Sequence, residues 1–322
     1  MPIKYELYNE DCIIGARRRL GDDSIDLIIT DPPYGIDGHK LHKHYNRNEG
    51  YVLDGYIEVP ESEYPQFSQE WINEASRVLR PGGSIYIVSG YSNLRHILSA
   101  LATTPLEEKN HIIWKYNFGV YTKTKFVSSH YHILFYTKPG GKHIFNTYSR
   151  YGPHERTDSN GSLNYQDRED VWVINREYKP GQPKNKNELP TQLLIKMLQY
   201  SSNEGDTVCD FFLGSFSTAK VAIAMNRNVC GFELSKATYK HQIGSMKRIK
   251  PGELLNQLRT PGEHLLYNQG KPWSEDELQQ LLNSFETLRV NGLSRKESIQ
   301  RLTADMGRGY FSLMNALKRS GA

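Results

Sequence analysis

Asp31, Pro32, Pro33 and Tyr34 bring a carboxylate, a stiff turn and an aromatic ring into four residues. The run before them, Ser24-Ile-Asp-Leu-Ile-Ile-Thr30, is short, apolar and β-branched, and reads as a buried strand. Proline has no N–H for a ladder and a fixed φ, so the pair stops the strand and holds the chain extended. The acid and the ring therefore stand at the carboxyl end of a strand, the edge at which open α/β sheets bind ligands. There the carboxylate can accept hydrogen bonds and the ring can stack on a flat partner. Taken alone, the tetrapeptide also fits a surface turn with a solvated Asp.

A second chemical cluster lies far down the chain. Asp206-Thr-Val-Cys-Asp210 reads as a strand, and Phe211-Phe-Leu-Gly-Ser-Phe-Ser-Thr218 leaves it. A small-residue helix from Thr218 to Met225 follows, then Val229-Cys-Gly-Phe-Glu233, a strand ending in an acid. Strand, glycine turn, helix, strand and acid make a nucleotide-binding unit. The turn lets a ligand approach backbone N–H groups, and the carboxylate accepts bonds from ribose hydroxyls. Glu233 falls nineteen residues after Gly214, near the spacing such units use. The glycines do not follow the dinucleotide pattern, which disfavours a pyrophosphate ligand.

Other elements must position these two clusters. Lys4-Tyr-Glu-Leu-Tyr8 alternates as a strand and ends at Asn9-Glu-Asp11-Cys12. Apolar spacing predicts helices over about Ile13–Leu20, Ser68–Leu79, Asn93–Ala102 and Thr191–Ser201, with Pro81-Gly82-Gly83 ending the second. Strands are expected at Ser84–Ser89, Ile112–Trp114 and Tyr131–Tyr136. The alternation implies a mostly parallel sheet with helices on both faces. Gly35 to Gly55 shows no hydrophobic period and fits a functional lid or a disordered loop. Its His39, His42 and His44 lack the Cys or acidic partners of a metal site, so no metal is expected. Pro180 to Glu188 has a linker's composition. Beyond Pro251, three apolar stripes predict three short helices, and Ser274–Glu277 and Ser294–Glu297 each fit a capping box. This bundle suits a structural cap, a dimer contact, or a helix-turn-helix reader whose last helix carries Arg308, Lys318 and Arg319.

Composition bounds the partners. The 322 residues carry a formal charge of +4. Residues 109–186 hold 13 Lys and Arg against 6 Asp and Glu, a surplus larger than that of the whole chain. Tyr116, Phe118, Tyr121, Phe126, Tyr148, Tyr151, Tyr165 and Trp172 lie among them. Basic residues interleaved with aromatics suit phosphate contacts and base stacking, and equally a solvated charged surface. Cys12, Cys209 and Cys230 have neither metal spacing nor an even count for a disulfide framework. No run of 18 apolar residues and no signal peptide is present, so a soluble protein of a reducing compartment, without membrane contact, is expected.

Read together, these segments resemble the β group of S-adenosylmethionine-dependent DNA amino-methyltransferases, in which the catalytic block precedes the cofactor block. Asp31-Pro-Pro-Tyr34 is similar to that family's catalytic motif. Asp210-Phe-Phe-Leu-Gly-Ser-Phe-Ser-Thr218 resembles its methionine-binding turn, more commonly Asp-Pro-Phe-x-Gly-Ser-Gly-Thr-Thr. Gly231-Phe-Glu233-Leu-Ser resembles its ribose-binding acid, Asn9-Glu-Asp11-Cys12 its adenine-contacting segment, and Lys186-Asn-Glu-Leu-Pro-Thr191 the segment that packs over the methionine. The resemblance covers about residues 4–250. It implies a Rossmann-like sheet in a catalytic domain of residues 1–250, a target-recognition insertion at about 140–183, and a C-terminal helical module at 251–322. Phe211 replaces the common Pro and Phe216 the second glycine, and Phe216 is expected to add bulk where the backbone approaches the ligand.

The resemblance implies methyl transfer to adenine N6 of double-stranded DNA, with cytosine N4 or a catalytically silent DNA-binding protein as the alternatives. A nucleobase amine is a poor nucleophile because its lone pair is delocalised into the ring. The Asp31 carboxylate and the Pro32 carbonyl could accept its two hydrogens, with Pro33 stiffening the turn and Tyr34 stacking on a base rotated out of the duplex. S-Adenosyl-L-methionine is implied as cofactor, held by Asp11, Cys12, Asp31, Pro32, Thr191, Asp210, Phe212, Gly214, Ser215, Ser217, Glu233 and Leu234. A second copy of the chain and a cognate restriction endonuclease are further candidate partners, and a prokaryotic cytosol or nucleoid is the expected location.

Overall fold

The computed structural model describes residues 3–35, 59–117, 119, 121–177, 188–259, 268 and 271–321. The histidines at 39, 42 and 44 and the stretch 180–187 lie outside them. The described chain packs as two compact units, residues 1–150 with 165–259, and residues 151–164 with 260–322.

An eight-stranded sheet forms the first unit, in the order β1-β8-β7-β2-β3-β5-β4-β6. The strands are β1 (Tyr5–Tyr8), β2 (Ile25–Thr30), β3 (Leu79–Ser89), β4 (Glu107–Lys115), β5 (His130–Thr137), β6 (Val171–Val173), β7 (Thr207–Asp210) and β8 (Asn228–Phe232). Strands β1, β8, β7, β2 and β3 pair in parallel. β5 runs antiparallel to both β3 and β4, so the sheet is mixed beyond β3. β2 is buried on both sides, as its continuous apolar run requires.

Helices cover both faces. On one side, α1 (Cys12–Arg19), α2 (Tyr64–Val78) and α3 (Leu94–Leu101) pack through Ala16, Trp71, Ile72, Val78 and Ile97 onto Ile28 and Ile85. On the other, α5 (Thr191–Ser201), α6 (Ser217–Ala224) and α7 (Lys236–Met246) pack through Leu193, Met197, Ala219, Ala222 and Met246 onto Leu27, Ile29 and Val208. The helix after β2 and the helix after β7 thus lie on opposite faces, although β2 and β7 are neighbours. Their carboxyl ends flank a topological switch point, where ligands of such sheets bind.

One local reading is corrected. Pro81-Gly82-Gly83 does not end the helix: α2 stops at Val78, and the triplet lies inside β3. Gly82 has φ +76°, and a Cβ there would meet the Lys142 carbonyl at 2.5 Å, so no other residue fits unstrained. Further along the chain, the short helix α4 (Leu163–Asp167) precedes β6, which joins the main sheet beside β4 with Trp172 buried.

The second unit holds α8 (Glu275–Val290), α9 (Arg295–Met306) and α10 (Tyr310–Arg319), packed around Leu281, Phe285, Ile299, Leu302, Leu313 and Leu317. Ser294 and Glu297 form the expected capping box. At Ser274 the hydroxyl accepts from the Glu277 N–H, and the Glu277 carboxylate is bonded by Arg308. Arg308 does not lie on the last helix and is not a surface reader. It is 3% exposed, donates to Glu277 at 2.6 and 2.7 Å and to the Lys271 and Pro272 carbonyls, and covers the Trp273 ring at 4.0 Å. Residues 151–164 belong to this unit and carry an isolated antiparallel bridge, Arg156 to Ser162. Among the described residues, no helix is long and apolar enough to cross a membrane.

Candidate active site

β2 delivers Asp31 to the switch point, and the two prolines turn the chain there. Neighbouring side chains pin the turn's carbonyls: Tyr64 Oη donates to Pro33 O at 2.8 Å, and Asn93 Nδ2 donates to Tyr34 O at 2.7 Å. Among the described residues, no backbone N–H bonds the Pro32 carbonyl. Tyr34 Oη donates to the Asp31 carboxylate, 2.8 Å from Oδ1 and 3.1 Å from Oδ2. Tyr34 also lines a small pocket with Tyr64, Ser89, Gly90, Ser92 and Asn93.

Burial pushes the Asp31 carboxyl up to about 8, and the Asp210 charge adds to the rise. The Tyr34 hydrogen bond and the Arg176 charge pull the other way without cancelling it. Asp210, at the end of β7, is likewise raised by burial, to about 6. It is held by Thr30 Oγ1 at 2.9 Å and by the Phe212 N–H at 3.0 Å. Two acids with raised values therefore sit side by side at the ends of adjacent strands, a pattern that marks functional sites more often than structural ones.

Beside them opens a cavity in the first unit. Asp11, Cys12, Asp31, Asp210, Phe212, Gly214, Ser215, Ser217, Glu233 and Leu234 all line it. Asp11 caps α1, its Oδ1 accepting from the Ile13 and Ile14 N–H groups at 2.9 and 3.0 Å. Cys12 is buried, which pushes its thiol well above the usual value. Glu233 accepts from the Gly214 N–H at 2.9 Å and the Ser235 N–H at 2.7 Å, so it locks the glycine turn to the end of β8. Ser217 Oγ donates to Glu188 at 2.8 Å.

The cavity departs from the sequence expectations at four places. Thr191 does not line it; its N–H and hydroxyl both donate to Glu177, at 2.7 and 3.2 Å. The acid of the same segment, Glu188, does line it. Pro32 is buried and stands outside the lining, whereas Pro33 is within it. Phe216 adds no bulk to the site. It caps α6 with φ +62°, and its side chain is fully buried in the core, edge-on to Tyr239 at 5.9 Å. The left-handed backbone there explains why the commoner pattern has glycine. Thr218, the last residue of the glycine-turn motif, also lines the cavity, as do Phe67 and Thr238, which carry no sequence signal.

An aromatic wall continues from Tyr34. Tyr131 of β5 stacks on it at 5.7 Å, and Trp114 of β4 stacks on Tyr131 at 5.6 Å. The Arg176 guanidinium covers Tyr116 and Tyr131 at 4.9 and 5.2 Å. Tyr131 and Arg176 were not legible as site residues, since β6 and the antiparallel β5 are what bring them there.

The cavity suits S-adenosylmethionine in its donor set: carboxylates for hydroxyl and ammonium groups, a glycine turn, and the apolar faces of Phe67 and Phe212 for a flat ring. The model of the N6/N4 DNA methylase family matches residues 25–243, more than half of the chain. The Type II methyltransferase M.HpaI of Haemophilus parainfluenzae is 32% identical over 228 residues, 69% of this chain and 68% of that one. The DNA adenine methyltransferase YhdJ of Escherichia coli (strain K12) is 30% identical over 242 residues, 69% of this chain and 76% of that one. Among solved structures, the M1.HpyAVI–SAM complex shares the fold with a TM-score of 0.52 and 19% identity, over 74% of this chain and 98% of that one. The chain belongs to the N6/N4 family of S-adenosylmethionine-dependent DNA methyltransferases.

Proposed function

We propose that this member of the N6/N4 DNA methyltransferase family methylates N6 of an adenine rotated out of duplex DNA. The observation that carries the reading is Asp31, an acid at the head of Pro-Pro-Tyr, aimed by the Tyr34 hydroxyl beside the cofactor cavity. By family resemblance, Asp in this position usually accompanies adenine and Ser usually accompanies cytosine. The relative YhdJ, named an adenine methyltransferase, agrees with it.

In this reading Asp31 and the Pro32 carbonyl accept the two amine hydrogens, and Tyr34 stacks on the base. The amine nitrogen, so pyramidalised, attacks in line, and positioning rather than acid–base power lowers the barrier. When bound, S-adenosylmethionine supplies an electrophilic methyl group on a sulfonium. Glu233 takes the ribose hydroxyls, Asp11, Cys12, Phe212 and Leu234 border the adenine, and Asp210, Gly214, Ser215 and Ser217 border the methionine. Recognition of the DNA site is assigned to residues 140–183. The silent alternative lost its motivating feature when Phe216 proved to face the core. Methylation of DNA with labelled cofactor, followed by nucleoside analysis, tests the reading. N6-methyldeoxyadenosine is expected. N4-methyldeoxycytidine would keep the mechanism and change the base.

A further inference from the structure

Loop residues 121–129, which lead into β5, adjoin the same wall as the Asp31 turn. At their root Trp114 pairs with Tyr131 across the strands, the Tyr131 ring stacks on Tyr34, and the Tyr116 N–H donates to Ser129 O at 3.0 Å. Past that root, large apolar side chains stand in water. Phe126 is 99% exposed, Tyr121 78% and Val127 41%. Single exposed apolar residues are ordinary on any surface. These three fall within seven residues, and exposed Lys123 and Lys125 stand between Tyr121 and Phe126. An aromatic tip beside paired cations has a natural complement in a stacked, polyanionic duplex.

The chemistry of the site creates the need for such a tip. A base inside the helix cannot reach Asp31, so it must leave the stack, and unstacking and unpairing are costly. Its departure leaves a gap between two base pairs. Apolar side chains that enter a base step recover part of that cost by stacking.

We propose that the loop is a wedge for duplex DNA, with Phe126 entering the gap left by the rotated base and Lys123 and Lys125 meeting the phosphates beside it. The proposal rests on the reading that the target base leaves the duplex to reach Asp31. It assigns the loop a task that the cofactor cavity and the aromatic wall do not perform, holding the helix open from outside.

The test separates opening from chemistry. The parent protein marks plasmid DNA, and sequencing locates the methylated base. Two synthetic duplexes carrying that site then differ only opposite the target, which faces either its normal partner or an abasic position. Phe126→Ala should lose about ten- to a hundredfold in rate on the paired duplex. On the abasic-partner duplex, where the base is already unpaired, it should match the parent. Phe126→Trp should restore the paired rate. Equal losses on both duplexes, or no loss on either, overturn the wedge. A parent that marks no DNA at all overturns the reading of the Asp31 site, and the wedge with it.

Discussion

The Tyr34 hydroxyl reaches both oxygens of Asp31, at 2.8 and 3.1 Å. One hydrogen shared between two oxygens fixes the plane of the carboxylate and leaves it lone pairs for an amine. The ring proposed to stack on the base is therefore the ring that aims the acid. Asp31→Ala should lose at least about a hundredfold in turnover, comparable to removing one preorganised electrostatic partner. Cofactor affinity, read by calorimetry, should hold. Near-normal turnover in that variant would refute the mechanism.

Protonation of Asp31 gives a second prediction. Its carboxyl is raised to about 8, burial being the main cause. A raised acid binds its proton more tightly folded than unfolded. Its contribution to stability is thus fully present below the ordinary carboxylate range and is lost as pH rises through about 8. Asp31→Asn removes that dependence, so its melting temperature relative to the parent should climb from pH 5 to pH 9. In the parent, kcat/KM should rise with pH and level off above about 8, as the free carboxylate forms. A constant melting difference across the range would contradict the assignment.

Glu233 carries two loads. Both its oxygens hold backbone N–H groups, and the carboxylate faces the cavity. Glu233→Ala should weaken S-adenosylmethionine binding by about 1.5–3 kcal/mol, the range for a bond to a charged group. Glu233→Gln, which keeps an acceptor for one N–H, should fall between. Unchanged affinity in the alanine variant would remove Glu233 from the cofactor site.

Phe216 sets a backbone strain against a buried ring. Glycine there would relieve roughly 1–2 kcal/mol of left-handed strain. Losing the aromatic side chain from the core would cost about 3–5 kcal/mol. Phe216→Gly should therefore lower stability by about 2–3 kcal/mol in urea unfolding, within the spread of those two ranges. Cofactor affinity should stay as in the parent, because the ring faces Tyr239 rather than the cavity.

Arg308 should matter to the helical unit alone. Its hydrogen bonds to Glu277 hold that carboxyl below the usual range. The pair's contribution is thus present at neutral pH and fades as pH falls through the carboxylate range. Arg308→Ala removes the cation from Glu277, the donors from the Lys271 and Pro272 carbonyls and the cover from the Trp273 ring, so the helical unit should lose stability. Hydrogen exchange in the full chain should show faster exchange over α8–α10 and an unaltered sheet. Protection lost throughout the sheet would mean that the two units do not unfold separately.

Proximity was legible in the sequence where it is local: Asp31 and Tyr34 are three residues apart, Asp210, Gly214 and Glu233 belong to one strand-turn-helix-strand unit, and the structure brings each set together. It was not legible where a side chain's direction or a distant partner decides. Arg308 counts as one more surface cation until Glu277, 31 residues earlier, is brought against it. Phe216 reads as an obstruction because nothing in its type says that a left-handed cap turns the ring inward. Tyr131 needs an antiparallel β5 to reach Tyr34, and alternation along the chain suggested parallel neighbours. Thr191 and Glu188 are three residues apart, yet only the acid faces the cavity.

β1 finds its partner at the other end of the catalytic sheet: Tyr5 lies opposite Val229 and Tyr8 opposite Phe232. A ribosome releases the first of these strands early and the second more than two hundred residues later. Until then the nascent chain carries Asp11 without Glu233, and the two walls of the cavity do not meet. Long-range pairings of this kind form slowly, because the loop between them must close first. A growing polypeptide that has not yet reached β8 therefore cannot close this cavity.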